Sequence, residues 1–261
     1  MTVCTLASSS SGNCTVVSCG STHILIDAGI SLRRIREMLR PESLSPDDLA
    51  CVLVTHEHTD HISGIEMLTK YHKTPVFLST GAGYGVVNAI PETEPYISCF
   101  ETGIEFEMGD FAVRSFNTPH DAYGSVGYTI RADGRTLVYA TDLGSVTAEV
   151  ADSALGADLA IIEANHDRER LRNGPYPYYL KKRILSAFGH LENCDSGNLA
   201  ALLVSSGTRY IQLAHLSREN NTPDLAYETV AEILRENGII AGKDAELDVA
   251  PPYTPGRRYV L

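Results

Sequence analysis

The feature that most constrains this 261-residue chain is one turn, His56-Glu57-His58-Thr59-Asp60-His61, which follows the run at residues 51–54 (CVLV) after a single threonine. A segment that is apolar at every position and rich in valine reads as a strand buried on both faces. The turn therefore leaves a rigid sheet. Imidazole and carboxylate are the side chains that hold zinc, iron or manganese. One histidine in such a place would read as part of a hydrophilic loop. Three histidines and an aspartate within six residues read as a metal-binding loop on an α/β scaffold.

The arrangement recurs along the chain. Residues 23–26 (HILI) are followed by Asp27, and residues 111–116 lead through Asn117-Thr118-Pro119 to His120. Residues 136–140 (TLVYA) run into Thr141-Asp142, residues 159–162 into Glu163-Ala164-Asn165-His166, and residues 210–214 (YIQLA) into His215. Side chains that bind ligands in α/β folds gather beyond one end of the sheet, where loops from several strands meet. Six strand ends carrying His, Asp or Glu are thus expected to converge on one metal site. His23 and His72 lie outside every such position and read as ordinary core or surface residues.

Other elements fit the same fold class. Residues 31–39 form a helix pattern capped by Ser31. Asp133-Gly134 supplies hairpin chemistry between the alternating segment at Val126, Tyr128 and Ile130 and the TLVYA strand. One later helix opens at Asp195; another has Thr222 as cap, Pro223 at its first position and Gly238 just past its end. No repeat, low-complexity tract or linker divides the sequence, so the expectation is a single domain over residues 1–261. With 33 acidic and 21 basic residues the net charge is -12, which disfavours diffuse capture of nucleic acid. Bound divalent cations would reverse that locally. The six cysteines form no C-x-x-C pair, and most read as small buried hydrophobes of a reducing compartment. No apolar stretch approaches the ~20 residues of a membrane helix, and no signal peptide is visible. A cytoplasmic location without membrane contact is expected.

The H-x-H-x-D-H pattern, together with Asp27, His120, Asp142 and His215 in order, resembles the metallo-β-lactamase superfamily over nearly the whole chain. The resemblance implies a four-layer αββα sandwich with a dinuclear site at one edge. By it, His56, His58 and His120 hold one divalent ion, Asp60, His61 and His215 hold the other, and Asp142 bridges them. His166 and His190 compete for the last position. His215 is preferred because it directly ends an apolar strand, and Asp27 reads as an orienting residue behind a ligand. Zinc, manganese and iron all suit this donor set. Two such ions activate water and clamp both oxygens of a displacement. Oxygen-reducing flavodiiron relatives carry Glu where this chain has His58 and need a flavin domain. Hydrolysis, with no nucleotide or flavin cofactor, is therefore expected.

Fold alone does not separate acyl from phosphodiester substrates. The loop Ala7-Ser8-Ser9-Ser10-Ser11-Gly12-Asn13 could offer backbone N–H groups to an anion, or be a simple turn. With the segments Glu163-Ala164-Asn165-His166-Asp167 and 214–221 (AHLSRENN) it resembles the YycJ/WalJ-type branch of the superfamily. That branch implies a cytoplasmic 5′-to-3′ DNA exonuclease linked to DNA repair, with Ser11, Asn13 and His166 near substrate or behind the ligands. Asp60 and His190 then take the catalytic roles of orienting the attacking water and of protonating the departing oxygen. One departure stands out. The branch leads us to expect Ser after His190-Leu191, whereas this chain has Glu192, whose charge is expected to repel phosphate. Arg168, Arg170, Arg172, Lys181, Lys182 and Arg183 could track a DNA backbone, and Tyr176, Tyr178 and Tyr179 could stack on bases. Their plain alternatives are a solvated face and a place in the core. Two further readings are a hydrolase of a small ester, thioester or cyclic phosphodiester, and a non-catalytic regulator. The complete ligand set speaks against the regulator, and the lack of a long helical substrate arm speaks against tRNA processing.

Overall fold

A computed structural model describes residues 1–261. Its strands run β1 (Thr2–Ala7), β2 (Cys14–Cys19), β3 (Thr22–Ile26), β4 (Leu49–Leu53), β5 (Val76–Ser79) and β6 (Ile97–Phe100). A second series follows: β7 (Glu105–Met108), β8 (Phe111–Asn117), β9 (Val126–Ala132), β10 (Arg135–Ala140), β11 (Leu159–Glu163), β12 (Tyr210–Ala214) and β13 (Glu246–Val249). The last strand, β14 (Arg258–Val260), returns to the first series. Two seven-stranded sheets result, ordered β14-β1-β2-β3-β4-β5-β6 and β13-β12-β11-β10-β9-β8-β7. In the first, β14 to β3 pair antiparallel and β3 to β6 parallel. The second repeats this plan, antiparallel from β7 to β10 and parallel from β10 to β13.

The continuous apolar runs are explained by where successive side chains go. In β4, Cys51 and Leu53 face the second sheet, while Val52, and Val54 just past the strand's end, face the opposite way. In β11, Leu159 and Ile161 enter the same inter-sheet core and Ala160 and Ile162 leave it. Period-two alternation with both faces buried leaves no polar position along the strand. Three cores follow. The central one lies between the sheets around Ile24, Phe111, Tyr128 and Tyr139. One outer core packs the first sheet against α1 (Leu32–Leu39), α3 (Ile65–His72), which follows the short α2 (Thr59–Ile62), and α4 (Thr80–Ala89). The other packs the second sheet against α5 (Ala148–Ala154), α8 (Asn193–Ser205) and α9 (Pro223–Glu236), with α6 (Arg168–Asn173) and α7 (Tyr178–Ile184) in the preceding connection. The architecture is the αββα sandwich.

Local signals account for the ends. Ser31 caps α1 by accepting from the Arg34 N–H, and Thr222 caps α9 by accepting from the Leu225 N–H. Asp133 and Gly134 both take positive φ, as a tight hairpin turn requires. The helix expected to open at Asp195 starts two residues earlier, at Asn193. No helix is long and apolar enough to cross a membrane.

Candidate metal centre and active site

Asp27 directly follows β3, Asp142 lies two residues past β10, and His215 directly follows β12, and all three adopt positive φ of 57–59°. Non-glycine residues hold this left-handed conformation at a cost and cluster where the surroundings over-determine them. The reversal turns each side chain from the strand direction into one shared space. Gly29 serves the same convergence. A Cβ there would lie 1.6 Å from the Asp60 carbonyl oxygen, so only glycine lets the turn after β3 slide beneath the histidine-rich loop.

The seven residues of the expected donor set meet at one place. A donor atom from each of His56, His58 and His120 lies within 4.8 Å of the other two, and the same holds for Asp60, His61 and His215. Between the groups, Asp142 Oδ2 lies 3.3 Å from His61 Nε2 and Oδ1 lies 3.7 Å from His120 Nε2. Most ring orientations are fixed from behind. Nδ1 of His61 lies 2.8 Å from Asp27, Nδ1 of His120 lies 3.0 Å from the Gly189 carbonyl, and Nδ1 of His215 lies 2.8 Å from Glu163. Each acceptor takes the Nδ1 proton, so Nε2 is the nitrogen each ring turns into the shared space. Asp27 is fully buried and also accepts from the Thr55 N–H at 2.8 Å, so it orients His61 from outside the donor set.

Two buried atoms of this group, His56 Nε2 and Asp142 Oδ2, have no hydrogen-bond partner. An orphaned buried polar atom costs ~1–3 kcal/mol, and a divalent cation among these nitrogen and oxygen donors satisfies both. Burial and the nearby imidazoles of His61, His120 and His58 push His56 well below the ordinary histidine range, which keeps its ring neutral and able to donate electrons. His215 moves the other way. Burial disfavours its charge, yet Asp142, Asp60 and Glu163 push its pKa up to about 10. The negative field that holds a proton there also draws a cation. The residues present fit divalent metal ions.

Glu163 is the main participant that reading the strand ends left unassigned. It closes the fully buried strand β11. One carboxylate oxygen accepts from Nδ1 of both His190 and His215 at 2.8 Å, while the other accepts from the N–H groups of Leu143 at 2.7 Å and Leu191 at 3.1 Å. Burial would raise its carboxyl pKa, but the imidazoles of His190 and His215 hold it well below the usual carboxylate range. The signal was available: a glutamate ending an all-apolar strand must be buried, and a buried carboxylate requires partners. His190 joins the centre through this contact and lies 3.6 Å from Asp142. His166 does not join it. Its ring is buried with both nitrogens unpartnered, and burial pushes its pKa down to about 4.

The serine-rich loop is built differently from an anion cradle. The N–H groups of Ser8, Ser9, Ser11, Gly12 and Asn13 bond to Pro251, Asn13, Ser9, Ser9 and Asp60. They are committed within the protein because the loop braces the site. Ser8 Oγ accepts from the His215 N–H at 2.7 Å, and Asn13 Nδ2 reaches the Asp60 carbonyl at 3.3 Å and His61 Nε2 at 3.2 Å. Ser11 stands exposed at the tip. The repulsion expected of Glu192 is also countered, because its carboxylate lies 2.6 Å from Arg168 Nε. Of the tyrosines in the basic segment, Tyr178 and Tyr179 are exposed and not in the core.

An αββα sandwich with a histidine- and carboxylate-lined edge defines a class of metallo-hydrolases. Residues 22–216 match the Beta-lactamase superfamily domain, and the chain belongs to the metallo-β-lactamase superfamily. Exodeoxyribonuclease YycJ of Bacillus anthracis is 35% identical over 253 residues, covering 96% of this chain and 95% of that protein. Exodeoxyribonuclease WalJ of Streptococcus pneumoniae is 35% identical over 259 residues, covering 95% and 96%. Among solved structures, the metallo-β-lactamase fold protein YhfI of Bacillus subtilis aligns with a TM-score of 0.71 at 16% identity over 98% of both chains. Zn(2+)-bound PqqB of Methylobacterium extorquens aligns at 0.72 and 17% identity over 98% of this chain and 100% of its own. At such identities these two structures report on the fold alone.

Proposed function

We propose that this chain is a metal-dependent exodeoxyribonuclease that works as one domain over residues 1–261 and degrades DNA from the 5′ end. The observation that carries the reading is the position of Asp142, within 3.3–3.7 Å of imidazole nitrogens from both donor groups. The near full-length likeness to proteins named exodeoxyribonucleases supports the substrate class. In this reading His56, His58 and His120 hold one divalent ion, Asp60, His61 and His215 hold the second, and Asp142 is shared. When bound, zinc, manganese or iron supplies positive charge to the phosphodiester oxygens and makes water acidic enough to react near neutral pH.

The protein's own residues do the positioning. Asp60, braced by Asn13 and lying 3.3 Å from His215 Nε2, orients the attacking water. His190 is partly exposed. With Nδ1 anchored on Glu163, it presents Nε2 to the departing oxygen and delivers a proton there. The buried carboxylate of Glu163 accepts the Nδ1–H and so fixes which nitrogen faces the departing oxygen. The test uses manganese-loaded protein and duplex DNA carrying a 5′ phosphate, labelled at one end or the other, with and without EDTA. Release of nucleotides from the 5′ end, abolished by EDTA, is expected. Turnover of a thioester without any nucleotide release would overturn the proposal.

A further inference from the structure

Five aromatic side chains on segments bonded to residues of this centre, Tyr84, Tyr123, Tyr178, Tyr179 and Phe188, are 61–81% exposed. Single exposed aromatics are ordinary, whereas a group beside one site marks a binding surface. The five fall on two flanks. On one, the rings of Tyr84 and Tyr123 meet edge to face at 6.2 Å. The Tyr123 N–H donates to Glu57, the residue between His56 and His58, at 3.0 Å, so this flank is tied to the donor loop. On the other, Tyr178 and Tyr179 open α7, and Phe188 stands two residues before His190.

The flanks are locked together across the site. Arg183 grips both oxygens of Asp121 at 2.5 and 2.8 Å, next to His120. The second flank is also held from Ser145, which donates to the Ala187 carbonyl at 3.3 Å, and within itself by the His190 N–H, which donates to the Ile184 carbonyl at 3.0 Å. The second flank also carries charge. A cleft of about 510 Å³ opens between Arg172, Tyr178, Lys181, Lys182, Leu185 and Ser186, within the roughly 300–1,000 Å³ range of ligand pockets. Lys181 and Lys182 have no carboxylate partner. Six of the 21 basic residues fall within residues 168–183 of a chain whose net charge is -12.

We infer that this rim is a stacking platform for unpaired nucleobases, so the strand being degraded crosses the site single-stranded with its phosphates along Lys181 and Lys182. Aromatic faces accept any base, and interleaved cations follow the backbone between them. A paired duplex hides its base faces and could use only the cations. Charge complementarity selects a polyanion for this patch, and flat ring faces select bases over the acyl chains of a lipid surface. The inference rests on the nuclease reading and names the form of its substrate.

The test measures binding of fluorescein-labelled oligo(dT) of 20 nucleotides in EDTA, by anisotropy, against an abasic oligomer of equal length, a blunt duplex and phosphatidylserine vesicles. Tyr178→Ala/Tyr179→Ala and Tyr84→Ala/Tyr123→Ala, which remove two rings each, are each expected to weaken oligo(dT) binding by at least the roughly 5- to 150-fold effect of losing one base stack. The corresponding Phe variants should keep it, and wild-type protein should bind the abasic oligomer more weakly than either Ala variant binds oligo(dT). Circular dichroism and the melting temperature should match wild type in every variant, which separates loss of the platform from loss of the fold. Equal binding of oligo(dT) by wild-type and Ala variants, or tighter binding to duplex or vesicles than to oligo(dT), would overturn the platform while leaving the nuclease reading intact. Failure of wild-type protein to cleave any DNA would instead refute the nuclease reading itself.

Discussion

Glu163→Gln changes one buried atom and should disturb two histidines and two backbone groups at once. The carboxylate accepts four hydrogen bonds: one oxygen takes the Nδ1 protons of His190 and His215, the other the N–H groups of Leu143 and Leu191. A carboxamide has one acceptor oxygen, and its NH2 end cannot accept. Whichever way it lies, a pair of donors faces an NH2 group. If the NH2 faces Leu143 and Leu191, two buried N–H groups are orphaned at about 1–3 kcal/mol each, or about 2–6 kcal/mol together. At roughly 2–4 °C per kcal/mol for a chain of this size, the melting temperature falls by at least about 4 °C. If the NH2 faces the histidines, His190 and His215 move their protons to Nε2, the nitrogen that His215 needs free to hold a metal ion. Either outcome should reduce activity or metal affinity by about 10- to 100-fold, the usual effect of removing a partner behind a ligand. Nitrogen-15 NMR of labelled histidine distinguishes the two arrangements by reporting which ring nitrogen carries the proton, and calorimetry gives the stability. A variant with wild-type activity, unchanged Nδ1 protonation of both rings and an unchanged melting temperature would refute the assignment of Glu163 as a positioning residue.

Two further substitutions probe different parts of the centre. Gly29→Ala places a methyl group 1.6 Å from the Asp60 carbonyl oxygen. Thermal unfolding should show a loss of at least the ~1–3 kcal/mol typical of overpacking, and a melting temperature equal to wild type would show that the close approach is not required. Asp142→Asn removes the charge that faces both donor groups while keeping the side-chain shape. Circular dichroism should remain that of wild type, metal content by elemental analysis should fall, and nuclease activity should be lost; wild-type turnover would contradict a shared-ligand role.

Which side chains would gather at the site was legible because each lies at or just beyond the end of a strand that the apolar pattern already marks. Asp27, Asp142 and His215 needed no special sequence signal to be placed at those ends. The left-handed backbone that turns them inward had none, since the usual marker is glycine and these positions are functional exceptions to it. Strands β1 and β2 escaped notice for a related reason. In TVCTLA and CTVVSC, Thr5 and Thr15 are buried and bonded to one another, so polar residues inside the core blur the pattern. Pairing across the chain was the least legible property. Glu192 reads as a stray charge beside the site until Arg168, 24 positions earlier, is found 2.6 Å away. Glu163 reads as a strand terminus until two histidines are seen to share it. Local sequence states what chemistry each strand end can offer, but the sign and proton state of that chemistry are set by partners that only the folded chain brings near. That is why the strand ends alone point to one metal site and the resemblance selects its candidate ligands, whereas the residues that hold their protons in place emerge from neither.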